Sequence, residues 1–210
     1  MTILILIAIE IALFTFGATR GNKSGMESLM RGNTAMIILF AGKLMMIGGL
    51  ITNIGTVLYA TVVAGQMFIL EKYGFNQARQ VMNSIIYSIT NIFMVGIGIY
   101  YMPIIAGNDV AYSINAVLDH SWRIIAASYL AFYIAQSLML YLWYKYHSKG
   151  FWFRMILSLV ALQAVDSLLF FPTAFGFVSN LTTIIISGFV VKIIIGLLFL
   201  PIIKYFKKHE

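Results

Sequence analysis

Long, continuous apolar runs separated by short polar gaps leave this chain few folds to choose from. Seven runs can be marked, over approximately 2–17, 34–51, 55–71, 78–104, 120–144, 152–175 and 180–204. A bilayer core about 30 Å thick needs roughly 20 helical residues to cross it. The last four runs meet that length comfortably, and the first three stand at or below its lower end. Only helices and closed barrels satisfy backbone polar groups inside hydrocarbon. Continuous rather than alternating apolar runs select helices. Of the 210 residues 61% are hydrophobic and 10% charged, against about 25% charged in a soluble domain. The expected architecture is therefore all-α: a polytopic transmembrane bundle of six to seven helices, forming a single integral membrane domain over 1–210.

The charges orient the bundle. Arg20, Lys23, Glu27 and Arg31 follow the first run, Glu71, Lys72 and Arg79 follow the third, and Lys145 and Lys149 follow the fifth. Lys204, Lys207 and Lys208 close the last. The second gap and the sixth carry no charge, and the fourth carries only Asp109 and Asp119. Basic residues thus occupy every second gap, which is what the positive-inside rule expects of a multi-pass protein of the cell membrane with its C-terminus cytoplasmic. Thr2 to Phe16 lacks a basic leader, carries Glu10 at its middle and ends in a poor cleavage site, so it reads as a retained helix rather than a signal peptide. The other sizeable loops are expected at Gly17 to Asn33 and Ala106 to Asp119.

Several function classes drop out. There is no cysteine, so disulfides, thiolate metal sites and a cysteine nucleophile are excluded. The net charge of +7 comes from residues between the apolar runs, so nucleic acid is not an expected partner. His120, His147 and His209 all sit near run ends. With no H-E-x-x-H, G-x-S-x-G or phosphate-binding G-x-x-x-x-G-K motif, neither an enzyme nor a self-energised ATPase is expected, and no cofactor or metal. The expected partners are the lipid bilayer and a small molecule. The sequence leaves open whether the chain forms a homo-oligomer.

Five charged residues stand inside the apolar runs: Glu10, Lys43, Arg123, Asp166 and Lys192. Each costs about 2.5–3.5 kcal/mol at the centre of a membrane helix, so each should face the bundle interior, water or a partner. Asp166 lies about 21 Å into the sixth run and Lys192 about 18 Å into the antiparallel seventh, at a rise of 1.5 Å per residue, so the two can meet. Gln163, Asp166, Ser167 and Phe170 share one helical face. That face offers an amide, a carboxylate, a hydroxyl and a ring, a set that suits a flat, hydrogen-bonding heterocycle. Two readings stand side by side: a substrate site, or a structural ion pair with Gln163 and Ser167 joining helices. The fifth run adds Arg123, Ser128 and Gln136, with Arg123 close enough to the boundary to reach headgroups. Glu10 and Lys43 are expected to pair structurally. The aromatic residues at run ends, Trp143 and Trp152 among them, read as an interfacial belt.

Several stretches, taken in order, resemble one family. Gly55-Thr56-Val57-Leu58-Tyr59, then Glu71-Lys72-Tyr73-Gly74 and Ala78-Arg79, look like its G-x-x-x-Y, E-x-Y-G and A-R pattern. Arg123-Ile124, Ala127-Ser128, Ala131 and Gln136 look like its R-I…A-S…A…Q helix. Trp152, Arg154, Ser158, Gln163 and Asp166-Ser167 look like its W-x-R…S…Q…D-S helix, and Lys192, Pro201 and Tyr205 like its final K…P…Y. The chain from about Gly21 to Tyr205 resembles the Vut family of vitamin uptake transporters, understood as queuosine precursor transporters. The resemblance implies import of 7-cyano-7-deazaguanine or 7-aminomethyl-7-deazaguanine. It adds Tyr59 and Glu71 to the candidate substrate-binding residues, with stacking on Phe170 or Tyr59. Met67 and Met139 stand where the family usually has aspartates. The alternative expectation is a substrate-binding membrane subunit of a larger energised uptake complex, for a vitamin-like or purine-like molecule.

Overall fold

The computed structural model describes residues 2–20, 22–40, 42–103, 109–176 and 178–208. Among them are seven helices and one two-stranded sheet: α1 (Thr2–Arg20), α2 (Asn22–Phe40), β1 (Leu44–Ile47), β2 (Leu50–Asn53), α3 (Gly55–Tyr73), α4 (Phe75–Tyr100), α5 (Asp109–Lys145), α6 (Phe151–Phe175) and α7 (Leu181–Lys208). The all-α bundle expected from the apolar runs is present. Four stretches are long and apolar enough to cross a membrane: Phe75–Tyr100, Trp122–Lys145, Phe151–Phe175 and Leu181–Lys207. The last position of the fourth expected run (78–104), the first three residues of the loop expected at Ala106 to Asp119, and His209 lie outside the described residues. From Asp109 onward that expected loop is instead the first part of α5, which begins eleven residues before the expected run 120–144.

The helix α3 stands at the centre. Every residue from Gly55 to Leu70 is buried, so no side of this helix faces the surroundings and it has no polar face to present. Two of its polar side chains donate to backbone carbonyls. Gln66 donates to the Ala78 carbonyl at 2.6 Å, and Thr61 to the Val57 carbonyl at 3.5 Å. Around it pack α1, α2, α4 and α7.

The second apolar run departs from expectation. It is not a helix over 34–51: the helix begins at Asn22, inside the expected loop, and ends at Phe40. Lys23, Glu27 and Arg31 recur every four residues and share one face of α2. That face meets α4, where Ser84 donates to Glu27 at 2.6 Å and Lys23 reaches Gln77 at 2.5 Å. Met26, Met30, Asn33, Thr34, Ile37 and Ile38 form the buried face. The charges that looked like a loop are one side of an amphipathic helix.

Beyond Phe40 the run folds into an antiparallel hairpin, with Ile47 paired to Leu50 and Leu44 to Asn53. Gly48 and Gly49 have φ of +55° and +84°. A two-residue hairpin loop needs left-handed φ at both centres, which glycine adopts without strain. Thr52 and Asn53 at the end of β2 are buried, and β2 packs on α7. Lys43 consequently sits exposed before β1, away from Glu10, whose carboxylate accepts from Asn33 Nδ2 at 2.7 Å. The expected Glu10–Lys43 pair does not form.

Candidate functional site

The seam between α6 and α7 is built on small residues. A Cβ placed on Gly188 would stand 2.3 Å from the Phe171 ring, and one on Gly196 would stand 2.8 Å from Leu159. Gly188, Lys192 and Gly196 recur every four residues, so they form one stripe of α7. The missing side chains let the two backbones approach closely. Lys192 is held between these two contacts, opposite Asp166 and Ser167.

The result is a buried ion pair. Lys192 Nζ donates to Asp166 Oδ2 and, at 3.4 Å, to Ser167 Oγ, with both charged side chains at most 6% exposed. Three rings surround the ammonium, with centroids at 4.8 Å (Phe171), 5.2 Å (Tyr59) and 5.7 Å (Phe170). Carboxylate, hydroxyl and ring faces together replace the lost hydration of a lysine. The pair borders a cavity that is partly open to the surroundings. Its walls come from α2 (Thr34), β2 (Asn53), α3 (Thr56, Tyr59), α5 (Ser128, Phe132), α6 (Asp166, Phe170) and α7 (Lys192). The Tyr59 hydroxyl lies close to the Asp166 carboxylate without a hydrogen bond of good geometry, and Ser128 Oγ is likewise buried without a partner among the described residues. Aromatic faces with a few unanswered polar atoms are the makings of a site for a flat polar molecule.

Of the residues expected to bind substrate, Tyr59, Ser128, Asp166, Phe170 and Lys192 line this cavity, and Ser167 supports Lys192 from behind. Gln163 and Gln136 are fully buried and their amides have no partner among the described residues, but neither lines the cavity. Arg123 has an exposed side chain and is not part of the wall. Five residues before Ser128, it points to a different side of α5.

Glu71 belongs to another place altogether. Twelve residues along α3 from Tyr59, about 18 Å away by helical rise, its buried carboxylate takes Arg154 at 2.6 Å, Lys207 at 2.5 Å and the Trp143 indole N–H at 2.6 Å. Arg154 also donates to the His147 carbonyl at 2.6 Å and sits 5.4 Å over the Trp143 ring. This clamp ties α3, α5, α6 and α7 together at the end opposite the cavity. Trp143 is therefore more than a boundary residue. Glu71's oxygens are taken up by protein donors, and it does not line the cavity.

Asn53, Thr56 and Thr34 were not anticipated. Asn53 stood in what read as a featureless gap between two helices, and Thr34 at the start of a misplaced one. Two consecutive glycines, Gly48 and Gly49, between Leu44–Ile47 and Leu50-Ile51-Thr52 were the available signal for the hairpin that brings Asn53 in. Met67 and Met139, at the positions of the family's usual aspartates, are packed into the apolar core.

No curated protein and no solved structure matches the chain. A family model described as "Putative vitamin uptake transporter" matches residues 53–206, a span that holds α3 to α6, α7 as far as Phe206, and the cavity wall apart from its α2 residues. The chain is a membrane protein and belongs to that transporter family, the Vut family.

Proposed function

We propose that this transporter imports a queuosine precursor, 7-cyano-7-deazaguanine or 7-aminomethyl-7-deazaguanine, by alternating access across the cell membrane. In this reading it is a multi-pass protein with its C-terminus cytoplasmic, and it acts as a carrier rather than an enzyme. The observation that carries the reading is the Asp166–Lys192 pair set in the wall of a cavity with Tyr59 and Phe170. A 7-deazaguanine base is flat and presents N–H donors beside a carbonyl acceptor. Asp166 keeps one oxygen that Lys192 does not occupy, which suits the N–H edge. The rings of Tyr59 and Phe170 suit the flat faces.

Binding between helices, deep in the bundle, is the arrangement from which transporters expose a site to each side in turn. In this reading the Glu71 clamp, which joins α3, α5, α6 and α7, serves as the inward gate. Uptake of radiolabelled 7-cyano-7-deazaguanine into proteoliposomes holding this chain alone tests the proposal. Saturable accumulation supports it. Tight binding without accumulation overturns autonomous transport and points to a binding subunit of a larger energised complex.

A further inference from the structure

Asn53 is 3% exposed and stands in the cavity wall, at the last position of β2. Its orientation is held by two threonines. Thr56 Oγ1 donates to Asn53 Oδ1 at 3.2 Å, and the Thr52 and Thr56 hydroxyls share a hydrogen bond of 2.7 Å. Thr52 is fully buried and Thr56 nearly so. The hydroxyl chain therefore runs from the hairpin interior to the amide oxygen, where it occupies the acceptor. No described residue accepts from Asn53 Nδ2. The amide N–H₂ is not sealed away from its surroundings, and Asn53 borders the cavity, so its donor is available to a molecule that enters there.

The other strong donor of the wall is already committed. Lys192 spends its ammonium on Asp166, Ser167 and the surrounding ring faces. Asp166 supplies an acceptor. The cavity thus sets a carboxylate oxygen on α6 and a free amide donor on the hairpin. A ligand that satisfies both carries an N–H donor and a carbonyl acceptor, the pattern of a lactam edge.

We infer that Asn53 is a specificity-determining residue that donates to a carbonyl oxygen of the transported base, and that Thr56 is the positioning residue that aims it. This rests on the transport reading above and adds the means by which the site tells an oxo base from an amino base. A site built to hydrogen-bond a ligand group rejects the analogue lacking it strongly, because a donor that the seated ligand covers is then left unpaired.

The test compares two probes on the purified full chain: 7-deazaguanine, and the analogue with an amino group in place of its carbonyl. The unaltered protein should bind the oxo base at least about tenfold more tightly, the size of one well-made hydrogen bond. Asn53→Asp keeps the shape of the side chain and the acceptor for Thr56 while removing the donor, and it should lower the oxo-to-amino ratio at least about tenfold. Thr56→Val should lower the ratio without removing Asn53, and Thr56→Ser should restore it. The threonine pair reports even if the aspartate variant fails to fold. A ratio unchanged by these variants, or an unaltered protein that prefers the amino base, overturns the inference and leaves the transport reading standing. Failure of the unaltered protein to bind either base overturns both.

Discussion

Across the seam between α6 and α7, the carboxylate of Asp166 accepts a hydrogen bond from the ammonium of Lys192, with both side chains withdrawn almost wholly from solvent. Breaking such a pair on one side leaves an uncompensated buried charge, at a cost of about 3–5 kcal/mol. Replacing both partners by neutral groups removes that cost. Lys192→Met alone should therefore lower the unfolding temperature of the detergent-solubilised protein sharply. Adding Asp166→Asn should recover most of the loss without recovering ligand binding. A single variant as stable as the double one would show that the pair is not isolated from water.

The close approach of α6 and α7 depends on Gly188 and Gly196. Gly188→Ala places a methyl 2.3–2.4 Å from Phe171 ring atoms, too near for the rigid ring to escape by a small adjustment. Overpacking of this kind costs about 1–3 kcal/mol. It should also push Lys192 away from Asp166 and weaken ligand binding. Thermal unfolding and equilibrium binding on the same preparation check both parts.

Glu71 joins four helices at the far end of the bundle from the cavity. Glu71→Gln leaves the buried Arg154 guanidinium without its carboxylate and should destabilise the protein by about 3 kcal/mol. Lys207→Ala removes a partner that is 43% exposed, so it should cost less than about 1 kcal/mol. Binding of the base by folded Glu71→Gln protein should match the unaltered chain. Loss of binding without loss of stability would return Glu71 to the ligand wall.

Met67 and Met139 supply no carboxylate, and the Asp166 charge is already balanced by Lys192. A cationic aminomethyl group would enter with its charge unpaired, whereas the cyano group carries none. Competition for uptake should favour 7-cyano-7-deazaguanine over its 7-aminomethyl relative by at least about tenfold. Preference for the cationic base would contradict this account of the cavity's electrostatics.

Much of the site was legible in the chain because charge is so expensive in an apolar run. Asp166 and Lys192 stood out on those grounds, and their depths in antiparallel runs anticipated that they meet. Helical spacing likewise grouped Gln163, Asp166, Ser167 and Phe170, all of which are buried. The cavity admits only part of that face, because membership of a face does not say which turn meets open space. The second run misled for a physical reason. Leu44 to Ile47 and Leu50-Ile51 are as apolar as a helix would be, and hydropathy alone does not separate a short buried strand from a helical turn. The start of α2 was hidden because its charges, read as loop, pair with α4 instead. Glu71 was drawn into the ligand set by a motif, and its true partners Arg154 and Lys207 lie 83 and 136 residues away in the chain. Such long-range pairings leave no trace in local pattern.

The most direct measurement is equilibrium retention of radiolabelled 7-cyano-7-deazaguanine by the purified protein, set against Asp166→Asn in the Lys192→Met background, where the fold is kept without the pair. Saturable retention by the unaltered chain, reduced at least about tenfold in the double variant, is the predicted result. Equal retention by both proteins would contradict the assignment of this cavity as the substrate site.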